Sequence, residues 1–162
     1  MPKMCFILSS IGENGTETRQ IADEKYDLVF KPVLNDLGYS VTRSDKIGTP
    51  GLISEDIVEH ITNDELVIAD ISDENPNVFY ELAIRNAAHR PVIVFKGEKQ
   101  RIPFDIQDKR SIAIDMKKPR LWTEAKKELK KQIEESEKNP EKASQSILSK
   151  FSFPISWDHD SI

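Results

Sequence analysis

The sequence predicts a doubly wound α/β domain on a five-stranded parallel sheet in the order 2-1-3-4-5. Three observations lead there. Short apolar runs of strand length alternate with segments whose apolar residues recur at three- and four-residue steps. The runs LVIA (66–69) and PVIVF (91–95) show no polar alternation, as in strands covered on both faces. Right-handed crossovers on opposite faces then cover both runs and leave the first strand inside the sheet.

The elements follow in order. Residues 3–9 (KMCFILS) are long enough for a strand and too short for a helix. A polar, glycine-bearing loop fills 10–15. From Thr16 a helix shows in Ala22, Tyr26, Val29, Phe30, Val33 and Leu37, and Gly38 ends it as a C-terminal cap. Pro32 lies inside that helix, and its missing N–H predicts a kink. Residues 40–43 read as the second strand, 54–61 as the second helix and 66–69 as the third strand. Asn75-Pro76 supplies an N-cap and a first helical residue for a third helix to about Ala88. Residues 91–95 and 111–114 are the fourth and fifth strands. The interval between them holds Ile102-Pro103-Phe104-Asp105 and has room for a helical turn rather than a full crossover helix.

Trp122, Ala125, Leu129 and Ile133 mark a final amphipathic helix. The charged, proline-broken stretch 134–142 reads as a solvated linker. Beyond it Phe151, Phe153, Ile155 and Trp157 alternate with polar residues and proline, an apolar strip expected to pack on its own domain or on a second copy. The expected organisation is an α/β domain over 1–136 and a linker with apolar tail over 137–162, in a homo-oligomer, the simplest being a homodimer.

Composition narrows the class. The chain has 162 residues, 38% hydrophobic and 31% charged, with 23 basic against 28 acidic residues, which is ordinary for a folded domain and not for a disordered one. No apolar stretch approaches ~20 residues, and the N-terminal residues lack a signal-peptide pattern. One cysteine, Cys5, forbids an internal disulfide and fits a reducing cytoplasm. A net charge of −5 argues against nucleic acid held by bulk charge. The expectation is a soluble cytoplasmic domain with neither a membrane nor a nucleic-acid partner.

In such folds ligands sit beyond the carboxyl ends of the strands, at the switch point in strand order. Ser9, Ser10, Gly12 and Glu13 follow the first strand, and Ser44 and Asp45 the second. Asp70, Ser72, Asp73, Asn75 and Asn77 follow the third, with Glu81 one turn into the next helix. There is neither GxGxxG nor GxxxxGK[ST]. His60, His89 and His159 are isolated, and no Cys/His spacing fits zinc, so no metal and no cofactor is expected. Cys5 reads as a small core residue. The reactive groups left are carboxylates, and Asp70 and Glu81 suit glycosidic chemistry. Each has an ordinary alternative: Glu81 stands four residues before Arg85, the spacing of an ion pair, and Asp70 could cap a turn. Arg19 either binds a phosphate or pairs with Glu17 or Asp23. Asn77 stands where a helix N-terminus favours anions. Ser9 and Gly12 line the pocket through their backbone.

The segment 63–92, NDELVIADISDENPNVFYELAIRNAAHRPV, resembles the core motif of nucleoside 2-deoxyribosyltransferase-like proteins, which share their architecture with TIR domains. CFILSSIG with the following ETR, and IPFD, are similar to the same group. The resemblance implies cleavage of an N-glycosidic bond in a nucleoside, a nucleotide or NAD, the last as substrate. It implies a small-molecule partner and, for TIR-type relatives, a part in defence. It makes Glu81 the essential acid; the strand-end reading adds Asp70 as the second catalytic candidate and Ser9, Ser10, Gly12, Arg19, Asp73, Asn75 and Asn77 as substrate-binding candidates. Ile57 stands where deoxyribosyltransferases carry a sugar-binding acid, and Asn75 where they tend to have aspartate, so cleavage fits better than base exchange. The second function class is a nucleotide-sensing or scaffolding module without turnover. A flavin carrier fits poorly, because the first loop lacks a Ser/Thr-rich phosphate cradle.

Overall fold

The computed structural model describes residues 2–46, 54–102, 110–144, 146 and 151. Five strands, β1 (Lys3–Leu8), β2 (Tyr39–Arg43), β3 (Leu66–Asp70), β4 (Val92–Gly97) and β5 (Ser111–Ile114), form one sheet in the order β2-β1-β3-β4-β5. Every neighbouring pair is parallel, with Ile7 opposite Ile68 and Ile68 opposite Ile93. The chain leaves β1 outward to β2, then returns across it to β3, so the switch point lies between β1 and β3.

Side-chain alternation splits the core into two layers. Cys5, Ile7, Ile68 and Phe95 face one side, where α1 (Glu17–Lys25), α2 (Lys31–Asp36) and α5 (Pro119–Lys138) pack. Phe6, Leu8, Val67, Ala69 and Val94 face the other, covered by α3 (Glu55–Asn63) and α4 (Pro76–Ala87). All five residues of β3 are buried, as its unbroken apolar run predicts.

Two local expectations change. Pro32 does not merely kink one long helix: a π-helical turn, Tyr26–Phe30, separates α1 from α2, and the Lys31 N–H reaches back to the Tyr26 carbonyl. The wider turn takes up the register around a residue that cannot donate. Gly38 does end the segment, at φ +84°, a conformation that costs glycine nothing. The stretch 134–142 is not a solvated linker throughout. Its Glu and Lys residues are good helix formers, so α5 continues to Lys138, burying Ser136, until Asn139-Pro140 breaks it and caps the short α6 (Pro140–Ala143). Glu137, inside the supposed linker, accepts from Lys3 Nζ at 2.6 Å and from the Tyr39 hydroxyl at 2.9 Å.

Phe151 is exposed. The rest of the apolar tail, Phe153, Ile155 and Trp157, and the Pro103-Phe104-Asp105 turn lie outside the described residues. No helix among those described is long and apolar enough to cross a membrane.

Candidate active site

β3 ends at Asp70, which by alternation points to the layer of α1. There Lys25, the last residue of α1, donates to Asp70 Oδ2 at 2.8 Å and to Ser72 Oγ at 2.7 Å. The Ser72 N–H closes the turn on Asp70 Oδ1 at 3.0 Å. Both charged side chains are over nine-tenths buried. A buried pair of this kind holds only because each ion is neutralised and hydrogen-bonded by the other. Together with Ser10 and Asp73 they line a cleft of about 230 Å³ between the ends of β1 and β3 and the start of α1.

On the far side of the strand ends, Asn75 caps α4. Its Oδ1 accepts the Asn77 N–H at 2.9 Å, and its Nδ2 donates to Ser10 Oγ at 3.4 Å, tying the first loop to the helix. Pro76 sits at the first helical position. One turn on, Glu81 is buried, yet among the described residues it has no hydrogen bond or ion pair. Loss of solvent pushes its carboxyl up to about 7.

The Glu81–Arg85 ion pair, the alternative reading of that spacing, does not form among the described contacts. Arg85, fully buried, turns toward the opposite end of the sheet, giving hydrogen bonds to the Ile61 carbonyl at 2.9 Å and the Pro91 carbonyl at 2.8 and 3.1 Å. Burial pushes its guanidinium down to about 10. The planar fork satisfies carbonyls of two different connections, a geometry that an exposed intrahelical pair cannot match.

Other predicted residues divide between the cleft and its surroundings. Ser10 and Asp73 line it. Asn77 is exposed beside the α4 N-terminus. Ser9 is half-buried in the first loop. Gly12 serves the backbone there: at φ +70°, a Cβ would stand 2.9 Å from Thr18 Cβ. Arg19 does not line the cleft; it pairs with Asp23 at 3.2 Å and Asp45 at 3.4 Å. Those carboxylates also hold the buried Arg43, which lies 5.0 Å from the Tyr26 ring. Asp70 and Glu81 therefore serve separate layers: Asp70 is neutralised by a lysine under α1, whereas Glu81 rides on α4 across the sheet.

Lys25 was not anticipated, although a signal existed. It stands three residues after Ala22 and four before Val29, a lysine within the apolar stripe of its helix. Cys5 is a core thiol, its acidity suppressed by burial. His60 stacks on Phe6 and meets Asp64 Oδ2 at 2.9 Å, a structural arrangement away from the strand ends. Among the described residues no cluster of three or more His, Cys, Asp or Glu is placed to hold a metal ion.

A doubly wound parallel domain with an unpartnered acid buried on the helix after its third strand is the class this geometry defines. The chain matches no family model, and no curated protein matches it in sequence. Solved structures share its fold. The CMP N-glycosidase BcmB of Clostridium botulinum matches with a TM-score of 0.54 at 18% identity, over 75% of this chain and 96% of that one. A 2-deoxyribosyltransferase from the psychrotolerant bacterium Bacillus psychrosaccharolyticus matches with a TM-score of 0.52 at 16% identity, over 76% and 90%. The fold implied by the resemblance in 63–92 is thus the fold observed.

Proposed function

We propose that the protein cleaves the N-glycosidic bond of a nucleoside or nucleotide, with Glu81 acting at C1′. The observation that carries this is Glu81 itself, a largely buried acid with no hydrogen bond or ion pair among the described residues and a carboxyl pushed up to about 7 by loss of solvent. A carboxyl whose ionisation is disfavoured by burial, at the end of the strands where such folds bind ligands, is a candidate for function. Its position on the helix after β3, in a fold shared with an N-glycosidase and a deoxyribosyltransferase, supports the same reading.

The chemistry follows from the charge. As the C1′–N bond breaks, its electron pair leaves with the base and positive charge builds on the sugar. An ionised Glu81 then meets a cation it lacks in the free protein, so its interaction is stronger in the transition state than before it. The carboxylate either bonds to C1′ or holds the cation until water adds there. The proton released by that water ends on the departing base, or in solvent when the leaving group is neutral, as nicotinamide would be from NAD. Asn75 and Asn77, at the positive end of α4, are placed to meet polar groups of the substrate.

Incubation with ribonucleosides, nucleoside monophosphates, deoxynucleosides and NAD, with free base measured by chromatography, tests this directly. Glu81→Gln keeps the shape and removes the charge, and should lower base release by at least about 10²–10³-fold. Because the ionised form is the active one, kcat/KM for the productive substrate should rise with pH and level off above about 7. Full activity in Glu81→Gln excludes the role assigned to it. If no substrate releases base while nucleotides bind, the chain is a sensing module.

A further inference from the structure

The hydrogen-bond inventory of the cleft beside Lys25 distinguishes among ligand chemistries. At about 230 Å³ it is smaller than sites that enclose a whole drug-sized ligand, so it receives a fragment such as one ring. Ser72 Oγ accepts a hydrogen bond from Lys25, and an ammonium accepts nothing in return, so the Ser72 hydroxyl proton remains available. Ser10 Oγ likewise accepts from Asn75 Nδ2, whose orientation is fixed because Oδ1 takes the Asn77 N–H. Neither hydroxyl donates to a described residue. Asp70 has one hydrogen bond on each oxygen and keeps further lone pairs. The carboxylate of Asp73 is exposed at the rim, and Glu17 at the same rim meets only the well-exposed Lys117, 3.7 Å away.

The cleft thus offers donors and acceptors together, and three carboxylates against one ammonium. A phosphate, which only accepts, would face net negative charge. A flat base edge does not need two hydroxyl donors beside a paired carboxylate. Neighbouring sugar hydroxyls, each of which donates and accepts, match the set.

We propose that this cleft is a subsite for the vicinal hydroxyls of a ribose ring, with Ser10 and Ser72 donating and Asp70 and Asp73 accepting. Lys25 is its positioning residue, fixing Asp70 Oδ2 and leaving the Ser72 hydroxyl proton free to donate. The proposal rests on the glycosidic reading for its ligand class, and makes the substrate a riboside rather than a 2′-deoxyriboside.

Binding tests it without turnover. Methyl β-D-ribofuranoside, its 2,3-dideoxy analogue and inorganic phosphate are titrated separately into the full chain, following backbone amide resonances. The riboside should give saturating shifts at Ser10, Ser72 and Asp73, and the dideoxy analogue should bind about tenfold more weakly or worse. Ser72→Ala, which leaves the Lys25–Asp70 pair in place, should erase most of that discrimination, and Ser72→Thr should restore it. Lys25→Met should erase it too, with Lys25→Arg restoring part. Equal binding of riboside and dideoxy analogue, absence of shifts at these amides, or stronger shifts there with phosphate overturns the proposal. Riboside binding without base release from any substrate would keep the subsite and remove the glycosidase.

Discussion

Glu81 makes the free protein pay for its site through pH. Its carboxyl titrates near 4.5 when unfolded and at about 7 in the folded chain, because burial disfavours the charged form. Between those values the folded state holds a proton that the unfolded chain has released. This contribution to stability is therefore fully present below about pH 4.5 and is lost as pH rises through about 7. At ~1.4 kcal/mol per pH unit it amounts to about 3 kcal/mol. Glu81→Gln should accordingly be more stable than the parent at about pH 8, by a few kcal/mol at most, and indistinguishable near pH 4. Thermal melts followed by circular dichroism at the two pH values measure this. Equal melting at both would show that the carboxylate is solvated and not poised. Residue identities at the strand ends were legible in the sequence, as was the acid on the helix. Partnership was not: Lys25 reaches Asp70 across 45 positions of chain, and no local pattern encodes such a pair.

At the scale of elements, α4 joins two tasks. Its N-terminus is fixed by Asn75 and Pro76 and presents Glu81, while its last turn sends Arg85 into the ends of two other connections. The Glu81–Arg85 spacing, read locally, predicts an ion pair; tertiary structure overrides it because the Ile61 carbonyl is buried and Arg85 supplies its hydrogen bond. Arg85→Ala should therefore destabilise the fold by about 2–4 kcal/mol, through three lost hydrogen bonds to two carbonyls and an emptied volume, measurable by urea denaturation. A loss below about 1 kcal/mol would show that solvent replaces the guanidinium. The π-helical turn belongs to this scale as well. Pro32 announced a disturbance, but whether a helix bends or widens depends on what its neighbours must reach, here the burial of Val29 and Phe30 against the sheet.

For the molecule as a whole, strand order followed from the sequence because two unbroken apolar runs demand cover on both faces, a requirement the double winding meets. The end of α5 was misread for a complementary reason: charge density marks a solvated face and does not end a helix, whereas Asn139-Pro140 does. Glu137, bonded to Lys3 of the first strand and Tyr39 of the second, shows that the end of this helix is held against the start of the sheet.

The single thiol in the middle of β1 turns this architecture into its own stopwatch. Cys5 is fully buried beside the central strand, and burial keeps it from ionising. An alkylating reagent reaches it only when the sheet opens, so the labelling rate multiplies the intrinsic rate of a free thiol by the fraction of time the centre is open. For an ordinary domain that fraction is on the order of 10⁻³ to 10⁻⁸. Mass spectrometry of the alkylated chain, with no engineered probe, would then report opening of the centre in every variant described above. Labelling at the speed of a free peptide thiol would mean that β1 is not held at the heart of the sheet.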